Sequence, residues 1–259
     1  MYPCYGLAES TLLVSGGGRF DEPVLLHCDP AGLELNIVTE VPQSAESRSL
    51  VSCGNPVEDQ DIVIVEAATR KELPENAIGE IWLRSRSISA GYLNDKQRTE
   101  ETFEHVLDNG DGGYMRTGDT GFLRDGELYI VGRIKNLLIV RGKNFYSNDL
   151  EAYIQTFHSG FQAGAVFSVD AGEEEQVVVL QELDGDVSPT GQEAIVKQIR
   201  QQLTGMYGFT PYDVVLVASG SLPKTVSGKV KHYDCKSTYL GGNLLPYTAA
   251  DTLTGGQSE

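Results

Sequence analysis

The stretch YMRTGDTGFLRDGELYIVGRIKN, Tyr114 to Asn136, lies where the chain changes texture. Upstream of it the runs PVLLHC, LELNIV, DIVIVEA and GEIWLRS alternate with Gly, Pro, Asn and Asp, the pattern of short strands and turns. Pro42 to Arg48 is polar and reads as an exposed loop, and Asp95 to His105 reads as a short helix on composition. NGDGGYMRTGD, Asn109 to Asp119, reads as a glycine-dense loop that feeds strands through LYIVG and NLLIVRG. Downstream, SNDLEAYIQTFH predicts a helix with Ser147 and Asn148 as candidate N-caps. AGAVFSV, EQVVVLQEL and DVVLVASG predict strands. Glu193 to Leu203 carries Ile195, Ile199 and Leu203 at a spacing of four, which predicts an amphipathic helix. Strand, helix, strand, strand, helix, strand describes a compact α+β unit from about 136 to 240, with the boundary near GRIKN.

Composition sets limits on function. The 259 residues hold 37 Asp plus Glu against 20 Lys plus Arg, a net charge of −17. Such a balance argues against a nucleic-acid surface and against an anionic membrane patch. No apolar run approaches the roughly 20 residues of a membrane span, and the N-terminal residues lack the basic start of a signal peptide. Cys4, Cys28, Cys53 and Cys235 are widely spaced, with no CxxC pair. They read as free, buried or partly buried thiols in a reducing cytoplasm.

Three groups of residues are suited to chemistry. Asp119 sits between glycines, where a carboxylate is presented free of its own backbone and can accept both hydroxyls of a ribose. Arg133 follows the strand through Val131, and in an extended chain Lys135 falls on the same side. Arginine supplies planar, multi-donor contacts to phosphate or sugar oxygens. Taken singly, Asp119 also reads as a turn cap and Arg133 as a rim ion pair. YGLAES, Tyr5 to Ser10, joins an aromatic for stacking on a base to Glu9, a carboxylate for Mg²⁺. LPKTVSGKVK, Leu222 to Lys231, carries three lysines, and its SGK suggests a phosphate loop. Val230 follows Lys229 and Pro223 stands where the first glycine would be, so GxxxxGK[ST] is not met. A solvated basic turn is the plain alternative.

Taken together, YGLAES, GYMRTGD, GRIKNLLIVRGKN and PKTVSGK resemble, in order and spacing, the motifs of the adenylate-forming (AMP-binding) superfamily. YGLAESTLLVSGG, LVSCGNP and RGKNFYSNDLE resemble its fatty acyl-AMP ligase branch. The resemblance implies an α+β fold. Residues 1–134 would be the last, strand-rich and distorted β-barrel-like part of the large domain, with a subfamily insertion around 16–50. Residues 135–247 would be the complete small mobile domain, and 248–259 a disordered tail. It implies that Tyr5 and Gly6 contact adenine, Glu9 ligates Mg²⁺, and Asp119 and Arg133 hold the ribose. Lys135 would be the hinge, and Lys229 the lysine spanning substrate carboxylate and α-phosphate. Asn136 stands where many relatives have Asp.

The activity so implied is ATP-dependent conversion of a long-chain fatty acid to acyl-AMP. Acyl transfer follows to an acyl carrier protein or to a carrier domain of a polyketide or peptide synthase. A conventional acyl-CoA synthetase and a non-catalytic module keeping the fold remain alternatives. The superfamily's Ser/Thr/Gly-rich phosphate loop does not occur in these 259 residues, so the chain reads as a C-terminal portion, inactive alone.

Overall fold

A computed structural model describes residues 2–18, 22–44, 47–170, 175–244 and 246–247. The chain forms two compact units, Met1–Lys135 and Asn136–Glu259. The tail from 248 onward lies outside the described residues.

The first unit is organised by an antiparallel sheet in which Glu127–Arg133, Gly112–Arg124, Gly79–Arg84, Asp61–Glu66 and Lys71–Glu72 lie side by side, with His105–Val106 on Gly112–Arg124. Within DIVIVE the run Ile62 to Val65 is continuously apolar because both faces of its strand are covered. Ile62 and Ile64 pack with Ile81, Leu83 and Leu128, while Val63 and Val65 pack with Trp82, Leu107 and Tyr114. Each such side chain contributes about 1.5–3 kcal/mol on burial.

Three expectations for this unit are corrected. The glycine-dense segment expected to be a loop is strand from Gly112 onward, interrupted by a register break between Arg116 and Thr120. LELNIV is not a strand: Asp29 accepts hydrogen bonds from the Ala31 and Gly32 amides and Pro30 opens a short helix, Pro30–Glu34. An Asp cap followed by proline outweighs the apolar alternation. Arg48 belongs not to a loop but to the Arg48–Val51 strand, which pairs with Leu25–Cys28.

In the second unit a hairpin, Leu137–Val140 with Lys143–Tyr146, leads into the helix Ser147–Gln155. Ser147 does not cap this helix. It is the first helical residue, and its hydroxyl donates to the Asn136 carbonyl at 3.0 Å. Phe161–Asp170 and Glu175–Leu183 pair antiparallel, and Asp213–Ala218 joins them in parallel after the helix Pro189–Tyr207. That helix starts on the Ser188 hydroxyl, which accepts from the Gly191 amide, with Pro189 at its first turn. Ile195, Ile199 and Leu203 are its buried stripe. The lysine turn is followed by another helix, His232–Leu240, whose buried Cys235 packs against Ala165, Phe167 and Val217.

Among the described residues the four cysteines are free thiols. Cys28 and Cys235 are buried and Cys53 is intermediate. Cys4 is exposed, against the expectation of partial burial, because it lies on a two-residue strand at the chain's start. Burial pushes the Cys235 thiol up to about 11, so it stays protonated and inert at neutral pH. No helix among the described residues is long and apolar enough to cross a membrane.

Candidate nucleotide site

Asp119 and Arg133 face one another in the register of the hairpin formed by Gly112–Arg124 and Glu127–Arg133. Arg133 Nε donates to Asp119 Oδ1 at 2.7 Å, and the Tyr5 hydroxyl donates to Oδ2 at 2.6 Å. Asp119 is 5 % exposed, whereas the Arg133 side chain is largely in solvent. Burial, and then the Asp119 charge and hydrogen bond, push the Tyr5 phenol above the usual tyrosine range. It therefore remains a proton donor at neutral pH. Each carboxylate oxygen of Asp119 has a further lone-pair site, so the pair leaves capacity for two hydroxyl donors.

Gly6 is set by close approach. A Cβ there would lie 1.6 Å from the Leu12 carbonyl oxygen, inside any permitted contact. The following turn, Ala8–Ser10, carries Glu9, and the Tyr92 hydroxyl donates to Glu9 Oε1 at 2.6 Å. Tyr92 is itself held by Thr99, whose hydroxyl accepts from the Tyr92 amide, and by Arg98 over its ring at 4.1 Å.

Glu9, Arg133 and Lys135 line one cavity of about 460 Å³, together with Glu80, Tyr92 and Gly118. Arg133 and Lys135 reach it by a route different from strand alternation. The strand ends at Arg133, and Ile134–Asn136 is a turn of 3₁₀ helix, so period two does not apply there. A larger groove of about 620 Å³ lies in the second unit along Pro189–Tyr207. Val196, Val214, Leu216 and Tyr247 line it, and none of the candidate residues does.

Lys229 belongs to the second unit, on a tight turn. Its carbonyl accepts from the Thr225 amide at 2.8 Å, and its amide donates to Thr225 Oγ1 at 3.1 Å. The three lysines of LPKTVSGKVK separate into different roles. Lys224 Nζ sits 2.9 and 3.1 Å from the carboxylate oxygens of the fully buried Glu182, which also accepts from the Leu222 amide. Lys231 pairs with Asp234 at 3.4 Å. Lys229 is exposed, and among the described residues no carboxylate pairs with it.

The turn runs into His232, whose Nε2 lies 2.7 Å from Glu151 Oε1, while that oxygen also accepts from the Val166 amide. The hydrogen bond to Glu151, opposed by burial, raises the His232 pKa above its ordinary 6.5. A raised folded-state value favours the protonated native state. The stabilisation is thus complete below about 6.5 and is lost as pH rises through the folded value. Thermal melts between pH 6 and 9 should show this decline, and His232→Gln should remove that component of it. An unchanged pH profile in the variant would exclude His232 as its source.

Glu80, Arg116, Thr117 and Tyr92 were not among the residues singled out from sequence. Glu80 did carry a signal: a carboxylate at an inward position of the apolar run GEIWLR requires a buried partner.

A strand-rich unit bearing a paired carboxylate beside a polar cavity, followed by a small α+β unit with a lysine turn, is the architecture of adenylate-forming enzymes. A solved structure from work on fatty acyl-adenylate ligases of E. coli and L. pneumophila matches 93 % of this chain and 42 % of its own, with TM-score 0.78 and 26 % identity. The McyG A-PCP structure complexed with phenylalanyl-adenylate matches 93 % of this chain and 39 % of its own, with TM-score 0.72 and 26 % identity. Residues 1–93 match the family model described as AMP-binding enzyme. Medium-chain-fatty-acid–[acyl-carrier-protein] ligase JamA of Moorena producens (strain JHB) is 38 % identical over 98 % of this chain and 44 % of its own length. Long-chain-fatty-acid–AMP ligase FadD32 of Mycobacterium marinum (strain ATCC BAA-535 / M) is 33 % identical over 97 % of this chain and 45 % of its own. The chain belongs to the AMP-binding, adenylate-forming enzyme family. It spans less than half the length of these curated relatives.

Proposed function

We propose that these residues form part of a ligase that activates a fatty acid as its acyl-adenylate and passes the acyl group to the phosphopantetheine thiol of a carrier protein. The observation that carries this reading is Asp119, buried and held between Tyr5 and Arg133 beside the cavity that Glu9 lines. A fatty carboxylate oxygen attacks the α-phosphorus of ATP, the bond to the pyrophosphate oxygen breaks, and acyl-AMP forms with release of pyrophosphate. The carrier thiol then attacks the acyl carbonyl, a thioester forms and AMP leaves.

Asp119 binds the ribose hydroxyls and Arg133 orients its carboxylate. Tyr5 packs on adenine while its hydroxyl stays on Asp119, and Gly6 lets the backbone approach. Lys229 places an ammonium between two anions, offsetting their repulsion and stabilising charge on the five-coordinate phosphorus. Delivery for one half-reaction and withdrawal for the other follow if the second unit turns about Lys135, since a few residues absorb such a change.

Mg²⁺, when bound, neutralises phosphate charge. Among the described residues no group of three or more His, Cys, Asp or Glu gathers for a metal. Glu9, one of the carboxylates lining the cavity with Glu80 and Glu101, instead suits an ion held largely by phosphates.

The relatives' names support a fatty-acid substrate and a carrier acceptor, and they divide between medium-chain and long-chain acids. A long-chain acid and a cytoplasmic setting are the finer part of the proposal. In a full-length ligase carrying these residues, ATP–pyrophosphate exchange should depend on fatty acid and rise with chain length, and the acyl group should appear on a carrier protein. Efficient acyl-CoA formation would overturn the carrier assignment. The 259-residue chain by itself should show no fatty-acid-dependent exchange, because the superfamily's Ser/Thr/Gly-rich phosphate motif does not occur in its sequence. Robust exchange by the purified chain would refute that expectation.

A further inference from the structure

Glu80 is 3 % exposed in the middle of a sheet, an expensive place for a carboxylate. The ladder between its strand and the next explains what it does there. Met115 faces Leu83 and Arg116 faces Trp82, but the next pair is Thr120 with Glu80. Four steps on one strand are thus matched by two on the other. The excess residues bulge out as Thr117, Gly118 and Asp119, and this projection carries the carboxylate assigned to the ribose.

The projection is pinned from both sides. Thr117 Oγ1 donates to the Ile81 carbonyl at 2.8 Å and accepts from the Asp119 amide at 3.0 Å. Glu80 Oε1 accepts from the Gly118 amide at 3.3 Å. Both Glu80 oxygens accept from Arg116 Nε at 3.0 and 3.2 Å, and Oε2 also lies 2.8 Å from Arg116 Nη2. Oε2 accepts further from Trp82 Nε1 at 3.0 Å. Gly118 has φ of +70°, a conformation that favours glycine and leaves its amide turned to the carboxylate. Only an acceptor-only group satisfies all these donors at once, which an ionised carboxylate is and an amide is not. A well-packed apolar pair would serve stability as well as a buried ion pair does. The charge is accounted for by what it holds.

We propose that Glu80 is a positioning residue for nucleotide binding, acting through Arg116 and the Gly118 amide to fix where Asp119 presents its oxygens to the sugar. The proposal rests on the assignment of Asp119 to the ribose hydroxyls, and its test separates the two. The 259-residue chain is titrated calorimetrically with AMP and with 2′,3′-dideoxy-AMP. Emission of Trp82, the single tryptophan, is recorded because its indole bonds the same carboxylate.

The wild type should bind AMP about tenfold more tightly than the dideoxy analogue, the scale of one charge-assisted hydrogen bond. Asp119→Asn should bring that ratio to within about twofold of unity. Glu80→Gln, which is isosteric, should do the same while melting within a few degrees of wild type. Arg116→Lys keeps the charge but loses the fork, and should also lose the discrimination. It decides alone if Glu80→Gln melts far lower. If Asp119→Asn loses the discrimination while the folded Glu80 and Arg116 variants keep it, the role of Glu80 is overturned. If wild type does not distinguish the two nucleotides, or Asp119→Asn still does, the ribose assignment itself falls.

Discussion

Replacing Lys229 by alanine in a full-length ligase carrying these residues is expected to lower acyl-adenylate formation about a hundredfold or more, the usual cost of one preorganised electrostatic contact. Acyl transfer from supplied acyl-AMP should be largely spared, since in the proposed role the ammonium acts between carboxylate and α-phosphate and both are already joined. Stability should stay within about 0.5 kcal/mol, because the side chain is exposed on a turn whose contacts are made by its backbone. Single-turnover assays of each half-reaction beside a thermal melt check the three statements. Equal loss in both half-reactions would count against the proposed role.

Lys224→Ala, five residues earlier on the same turn, should behave in the opposite way. Glu182 is fully buried, and Lys224 supplies the only cation paired with it among the described residues. Removing it leaves a buried carboxylate supported by the Leu222 amide, a defect that costs about 3–5 kcal/mol. For a unit of this size the melting midpoint should fall by more than about 10 °C. Adenylation should also fall, as the turn carrying Lys229 loses its anchor. Pairing Lys224→Met with Glu182→Leu should recover most of the stability, because an apolar pair of similar volume replaces the ion pair. Recovery of adenylation does not follow from it. A single variant as stable as wild type would show that Glu182 is accommodated by other means.

The contrast between these two lysines shows how far the sequence could be read. LPKTVSGKVK identified a basic turn and excluded a Walker loop, but its three lysines look alike in a string. Their difference depends on Glu182, 42 residues before Lys224. In the same way YMRTGD offered Asp119 but not Glu80, 36 residues before the Arg116 that it holds. Pairings of that kind follow from strand register, which is settled by how both faces of the sheet are covered. The errors in reading elements were local competitions. An Asp-Pro cap outweighed apolar alternation in LELNIV, and a 3₁₀ turn replaced strand periodicity after Arg133.

By itself the sequence determined the covered strand runs, the buried helical stripe of Ile195, Ile199 and Leu203, and the ordered motifs that relate the chain to adenylate-forming enzymes. These are matters of periodicity and of residue type at fixed spacing, and both are written along the chain. The tertiary structure decided that Tyr5 and Arg133 share one carboxylate, that Glu80 fills the gap behind it, and that Lys224 is an anchor while Lys229 stays free of carboxylate partners among the described residues. The physical reason is that a charged side chain acquires its role from its partner, and chain folding brings these partners together from 14 to 114 residues away.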